Sequence, residues 1–555
     1  MPEKEFNLLH EPWIPAMRPN GDVEEVSLPD IFRRAPEFVR LAGELPTQDV
    51  ALLRLLLAVL HAVFGRYDLS GTYAPLYEDG DWRPSPEDVL DRWKALWDRG
   101  AFPMEIIERY LMHYKDRFYL FHPERPFYQV PILDKGTEYT AAKLNGELSE
   151  SSNKIRLFPQ RTGSGKTGLA YGEAARWLLY VNAFDDTSAK ASTRGLPDKL
   201  PSPGAGWLGK LGLVIAAGSN LYETLLLNLV LLKDGENDLW RKEQPAWEAE
   251  TARTSERTPI PMPDNPSGLL SLQSRRLLLR REGGKVTGYG LLGGDFFPKE
   301  NALNEQMTVW RNAAKKPGET PEYHPRRHDP ARQLWRDFSA LAVQTEANRR
   351  PGIVNWLAAL AYKKMIPRSL VCFQIAAVQY GDKDFYVDDV FSDSVSFNAE
   401  LLNDFNHSWT NRILDAIETA GLLVNQAGWL AQDIARAAGS TDEKSCQGVK
   451  SAAKAQAYFL LDIPFRQWLE RIDPILQTEE VSKSEASDDW WNTAQRIVRG
   501  LGRELVAQAG VNAFIGREIT QNKKTQRYTA PEAYNRFLYY TSNRDILKGG
   551  KGNGK

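Results

Sequence analysis

The stretch KIRLFPQRTGSGKTGLAYGEAARW, Lys154 to Trp177, decides whether this chain is a nucleotide-binding α/β enzyme or something else. An extended apolar segment (Ile155, Leu157, Phe158) runs into a glycine-rich turn carrying Arg161, Lys166 and Thr167, and a helix follows. Strand, glycine turn, Lys-Thr and helix are the parts of a phosphate cradle, whose backbone N–H groups point at an anion. A Walker A loop also needs a glycine separated by four residues from its Gly-Lys-Thr, because that spacing wraps the backbone around the phosphates. That place holds Gln160. The carboxylate that would hold Mg²⁺ at the end of a buried strand is missing as well. A cationic glycine-rich loop presenting Arg161 and Lys166 to a phosphate backbone is the better reading. A P-loop-like nucleotide-binding enzyme using Gly163–Thr167 is the alternative.

Working outward, 555 residues predict about two to four domains. Hydrophobic residues make up 42% and charged residues 26%, as in soluble globular proteins. A net charge of −2 leaves no global basic field, so contacts to nucleic acid must come from local patches. Cys372 and Cys446 are the two cysteines, which excludes a disulfide framework or a cysteine zinc knuckle and suits a reducing compartment. The N-terminus lacks a signal pattern, and the apolar run Val50–Phe64 is broken by Arg54 and His61 and too short to span a bilayer. The chain reads as cytoplasmic, with no membrane partner.

Towards the N-terminus, Leu8–Ile14 and a following strand read as a hairpin, and Thr47 is placed to cap a helix through Phe64. Asp134–Ser152 reads as a linker. After the central helix, 185–212 is a long loop rich in Gly, Pro, Ser and Lys, and Leu221–Leu232 reads as a helix. Leu269–Leu292 reads as strands with an arginine edge (Arg275, Arg276, Arg280, Arg281) and a turn at Gly283-Gly284. Arg311–Arg336 reads as an exposed basic connector, Ser369–Gln379 as a strand, and Tyr380–Phe385 as a polar turn. Four amphipathic stretches follow, Ala399–Asn425, Lys444–Glu470, Ala486–Ala509 and Pro531–Leu547, with no β-rich stretch expected between them. That pattern predicts an antiparallel four-helix bundle. The fold class is therefore α+β, a large mixed N-terminal domain (1–395) followed by a four-helix bundle (396–547) and a flexible tail (548–555).

No catalytic constellation is assignable. His324 and His328 lie four apart, but Pro325 and Pro330 break the helix that would bring them onto one metal. Asp388 and Asp389 are adjacent and point apart. The basic stretches Arg275–Arg281, Arg311–Arg336 and Lys523-Lys524 with Arg527 fit backbone contacts to nucleic acid without base reading, and each alone is ordinary solvated surface. Tyr528, Tyr534, Phe537, Tyr539 and Tyr540 read as bundle core.

Six segments in collinear order resemble one family. They are FNLLHEPWIP (Phe6–Pro15), HPERPFYQ (from His122), LFPQRTGSGKTGLAYGEAARWLL (from Leu157), SLQSRRLLL (Ser271–Leu279), GDFFPKENALNEQMTVWRN (Gly294–Asn312) and YGDKDFYVDD (Tyr380–Asp389). Together they are similar to the large subunit, CasA type, of the type I-E CRISPR Cascade surveillance complex. The resemblance implies a non-catalytic subunit without cofactor; some relatives bind zinc through two cysteine pairs, and this chain has neither pair, so no metal is expected. Its implied partners are guide RNA, the other Cascade subunits, double-stranded target DNA, small subunits docked on the bundle, and a helicase–nuclease. It also implies reading of a protospacer-adjacent motif from the minor groove and strand opening for guide pairing. Carried over by position, the RNA-docking loop falls on Phe158, Gln160, Arg161 and Lys166. The minor-groove loop falls on Thr187, Ser188, Ala189 and Lys190, with alanine where relatives can have glycine. The wedge falls on Asp382–Phe385, with Lys383 and Asp384 at the place of an amide pair and Phe385 able to stack. Lys299 is the lysine nearest the place of the motif-reaching lysine.

Overall fold

A computed structural model describes the chain except residues 1–3, 147, 151–153, 156–160, 162–164, 166, 188–203, 234, 236–237, 315–318, 346, 368–369, 404–405, 441, 522–523 and 550–555. The chain divides into two compact units. One is Met1–Pro330 with Val343–Pro367 and Val371–Ser394; the other is Ala331–Ala342, Arg368–Leu370 and Val395–Lys555. The class is α+β.

In the first unit, the helix Pro46–Phe64 is the core. It is the one described helix long and apolar enough to cross a membrane, and 94% of its apolar window is buried inside the fold. Proline opens its first turn, where a missing N–H costs nothing. Thr47 is thus inside the helix and not its cap, and its hydroxyl has no partner. Arg54 is buried on this helix, and its two Nη atoms donate to the two Glu305 carboxylate oxygens at 2.9 Å each. Glu305 also accepts from Trp207 Nε1 at 2.9 Å. A capping box, Ser85 with Asp88, opens the helix Pro86–Arg99.

Small sheets surround these helices. Ile14–Met17 lies between Val23–Val26 and Arg40–Leu41. Arg275–Glu282 and Lys285–Gly293 form a hairpin whose turn, Gly283-Gly284, has positive φ at both residues (56° and 74°), as a two-residue hairpin turn requires. Its third strand is Thr137–Thr140, so the expected linker is instead an ordered strand followed by the short helix Ala141–Leu144. The pairing partner lies far away in sequence, which is why the segment looked loose. The expected helix Leu221–Leu232 ends at Leu227 and gives way to a strand at Leu232–Lys233. Within the expected basic connector, Trp310–Asn312 pairs with Tyr323–Pro325, and 334–337 is a 3₁₀ turn. Leu370–Tyr380 and Val387–Asn398 are long neighbouring strands joined by the turn 381–386.

In the second unit, His407–Ala438, Glu443–Glu470 and Glu480–Ala507 pack on one another. Trp409, Ile413, Ala420, Leu423, Val424 and Ala427 form a buried stripe at helical spacing, and the helices packed on this one bury Leu461, Phe465, Trp490 and Val498. Trp335 stacks on Phe465 at 4.2 Å and donates to Asp462 at 2.8 Å. A hairpin, Arg517–Gln521 with Lys524–Tyr528, precedes the short helix Ala530–Tyr540, contrary to the expectation of unbroken helices. Its strands, REITQ and KTQRY, hold few apolar residues, so no alternating pattern marks them. Of the five expected core aromatics, Phe537 alone is buried, while Tyr539 is 59% exposed.

Removing one partner of the buried Arg54–Glu305 pair leaves an uncompensated charge. Glu305→Leu is expected to lower the unfolding free energy of the first unit by about 3–5 kcal/mol, read by urea denaturation.

Candidate nucleic-acid interface

The helix Tyr171–Phe184 is buried over most of its length and ends at two buried carboxylates, Asp185 and Asp186. Their charges are met from the sheet. Arg275, 1% exposed, donates through Nε to Asp185 Oδ2 at 2.7 Å. Its Nη2 reaches the carbonyl oxygens of Asp186 at 3.0 Å and Gly204 at 2.8 Å. Lys143 Nζ donates to Asp186 Oδ2 at 2.8 Å. Burial pushes the Asp185 carboxyl up, against the pull of Arg275. Burial also lowers Lys143, but Asp186 and Asp185 outweigh it and hold the ammonium above its usual range. Gly206 N–H donates to Asp185 O at 2.8 Å, and a Cβ on Gly206 would stand 2.3 Å from Ala183 O, so only glycine fits. Chain leaving at Asp186 and returning at Gly204 is thus gripped by one guanidinium.

Thr187 is the last described residue before 188–203, and it is tied to the turn 381–386. Its N–H donates to Asp384 O at 2.9 Å, and its hydroxyl to Asp384 O at 3.0 Å and Lys383 O at 3.2 Å. Lys383 and Asp384 are consecutive non-glycine residues in the left-handed region, φ 53° and 59°. Each costs about 1–2 kcal/mol unless held. Arg327 does the holding, donating from Nη1 and Nη2 to the two Asp384 oxygens at 2.9 Å each. The same guanidinium lies 4.8 Å from the Tyr380 ring centroid, and Tyr380 donates to Phe184 O at 2.7 Å. Thr187 and the turn Asp382–Phe385, where the minor-groove loop and the wedge were expected, are thus hydrogen-bonded to each other.

Cations gather around this junction. Burial, with Arg275, Lys299 and Arg327 adding to it, pulls the Lys210 ammonium down to about 8, and Glu300 opposes. Lys299 and Lys383 are exposed. Lys383 stands solvent-facing at the tip of the turn.

Of the residues expected to act, Lys383 and Lys299 are solvent-facing and Phe385 is half-buried. Asp384 is engaged with Arg327 and Thr187, so it shapes the turn. Arg161 is ion-paired with Glu44 and with Glu173 (2.5 Å) and lies 6.0 Å from the Trp177 ring centroid. Phe158, Gln160, Lys166, Ser188, Ala189 and Lys190 lie outside the described residues, as does Lys523 of the third basic stretch. The arginine edge is corrected at its first two members, while Arg280 stays exposed. Arg275 and Arg276 are buried on Asp185 and Asp295, Arg280 pairs with Glu138, and Arg281 pairs with Glu5 and lies 4.3 Å from the Phe121 ring centroid. Arg327 and Lys210 lay within stretches read as a basic connector and a long loop without being picked out individually, and the burial of Arg275 and Arg276 on Asp185 and Asp295 was not anticipated. The available signal was an Arg-Arg pair entering Leu277–Leu279 and an Asp-Asp pair closing an apolar helix, charges that burial obliges to find partners.

The family model for CRISPR-associated protein Cse1 matches residues 7–501. The chain belongs to the Cse1 family, the CasA type. A Cse1 crystal structure from Thermobifida fusca superposes with a TM-score of 0.80 at 31% identity, covering 98% of each chain. The CasA/Cse1 protein of Thermus thermophilus is 34% identical over 344 residues, 61% of this chain and 60% of that relative's length. The Cse1 fold extends at 17% identity and a TM-score of 0.55 to a chain of a CRISPR RNA-guided surveillance complex, covering 89% of this chain and 100% of that one.

Two outcomes are expected at this junction. Arg327→Met frees Asp384, so amide exchange at Thr187 and Asp384, followed by mass spectrometry, speeds up at least about tenfold. Lys210 loses its charge as pH rises through about 8, so the protein is expected to release one proton between about pH 7 and 9, read by potentiometric titration against Lys210→Met, which lacks that step.

Proposed function

We propose that this chain is the large, non-catalytic subunit of a type I-E RNA-guided surveillance complex acting in the cytoplasm. It reads a protospacer-adjacent motif on duplex DNA, starts strand opening for guide pairing, and offers a platform to a helicase–nuclease. The observation that carries the reading is the hydrogen-bonded junction of Thr187 with Lys383 and Asp384. A groove-entering loop and a wedge act together only if one moves with the other, and these two share an anchor.

In this reading Lys383 meets a phosphate or base edge as the turn enters the groove, Phe385 stacks behind it, and Lys299 and Lys190 hold the flanking backbone. Ser188 and Ala189 line the minor groove. The loop at Phe158, Gln160 and Lys166 docks on guide RNA, and Arg161, held by Glu44 and Glu173, fixes where that loop begins. The bundle receives the small subunits; exposed Phe459 (76%), Ile463 (64%) and Leu476 (80%) support that assignment.

The test is a gel-shift panel of motif variants with the assembled complex, with and without this chain. Motif-selective binding is expected only with it, and equal binding without it overturns the reading. Lys383→Ala combined with Lys190→Ala is expected to weaken target binding across motifs and to reduce the salt slope by about two, one per lost phosphate contact.

A further inference from the structure

A cleft of about 320 Å³ opens in the second unit between the first long helix, the hairpin and the helix Ala530–Tyr540. That volume lies at the lower end of the range for small-molecule sites, roughly 300–1,000 Å³. Gln426 and Gln432 line it from the helix, 7% and 5% exposed. Neither carboxamide makes a side-chain hydrogen bond within the chain, among the described residues. Two nearly buried amides left open in one cleft favour a ligand that carries both donors and acceptors.

The walls say which kind. Trp429, 39% exposed, Tyr528 and Tyr540 present aromatic surface to the cleft. Cations stand over that surface: Lys450 Nζ is 5.6 Å from the Trp429 ring centroid and Arg436 Cζ is 5.7 Å from that of Tyr528. Arg536 donates to Asp433 at 3.0 Å at the wall and keeps 45% of its side chain exposed. Aromatic faces under a cationic rim, with amides at hand, are the chemistry that holds bases of unpaired strands. An acidic peptide would be met by the arginines alone. An apolar one would desolvate both carboxamides without giving them partners.

We propose that this cleft receives one unpaired nucleotide of a single-stranded nucleic acid, its base stacked on Trp429 or Tyr540 and its polar edge on Gln426 and Gln432. The phosphate lies toward Arg536 and Lys450. The cleft belongs to the bundle unit and needs none of the groups at the Thr187–Asp384 junction.

The test uses the full chain and a single-stranded oligodeoxynucleotide carrying one 2-aminopurine, with an oligoribonucleotide of the same sequence as the second arm. Stacking quenches the 2-aminopurine fluorescence, and Trp429→Ala and Gln426→Leu each weaken binding by about tenfold. Tighter binding in either arm supports the site and identifies the strand as DNA or RNA. Gln526→Ala, at an exposed lining position on the hairpin, is the companion variant should either substitution lower the melting temperature, and it too is expected to weaken binding. Duplex binding by the assembled complex stays at the wild-type level in all three, so failure here is distinct from failure of motif reading. Unchanged oligonucleotide affinity in folded variants overturns the proposal. Loss of small-subunit assembly with oligonucleotide binding intact overturns it too, and makes the cleft a protein interface.

Discussion

One guanidinium organises the candidate interface. Arg275 is taken wholly out of water and returns that cost through hydrogen bonds to Asp185 and to carbonyls on both sides of 187–203. A buried ion pair of this kind adds little net stability, because desolvation offsets most of the attraction. What it contributes is position. Carbonyls from two separate strands of chain must converge on a planar fork, and they can do so in one arrangement only. The loop stems are thereby set relative to the sheet, and Thr187 is delivered to the turn at Asp384.

A bidentate pair, Arg327 with Asp384, repeats the logic one layer out. The turn at Lys383 and Asp384 adopts two left-handed residues that isolated chain would avoid, and Arg327 supplies the interaction that makes them the lowest state. Strain held in this way keeps Lys383 at the tip while its neighbour faces inward. The resulting division of labour assigns Arg275, Arg327 and Asp384 to geometry and leaves Lys383 and Lys299 facing solvent. The same sorting applies to Arg161, whose charge is spent on Glu44 and Glu173 within the chain.

Legibility in the sequence followed the range of the interactions. The three long helices of the second unit declare themselves by apolar spacing, because the period is written in consecutive turns. The Gly283-Gly284 hairpin is equally local. The strand Thr137–Thr140 was hidden because its neighbour Lys285–Gly293 is remote, and the hairpin Arg517–Tyr528 because it holds few apolar residues to alternate. Charge was misread for a related reason. A run of arginines looks the same whether it faces solvent or four separate carboxylates, and at Arg275–Arg281 the carboxylates are Asp185, Asp295, Glu138 and Glu5.

By itself the sequence determined the α+β class, the family through six collinear segments, and the mismatch of Gln160 with Walker A spacing. Each of these depends on the order and spacing of nearby residues. Only the tertiary structure decided which charges remain available for a ligand. Arg275 meets Asp185 across 90 positions, Arg327 meets Asp384 across 57, and Thr187 meets Asp384 across 197. Such partners are chosen by how sheets and helices pack, and no local pattern records the choice.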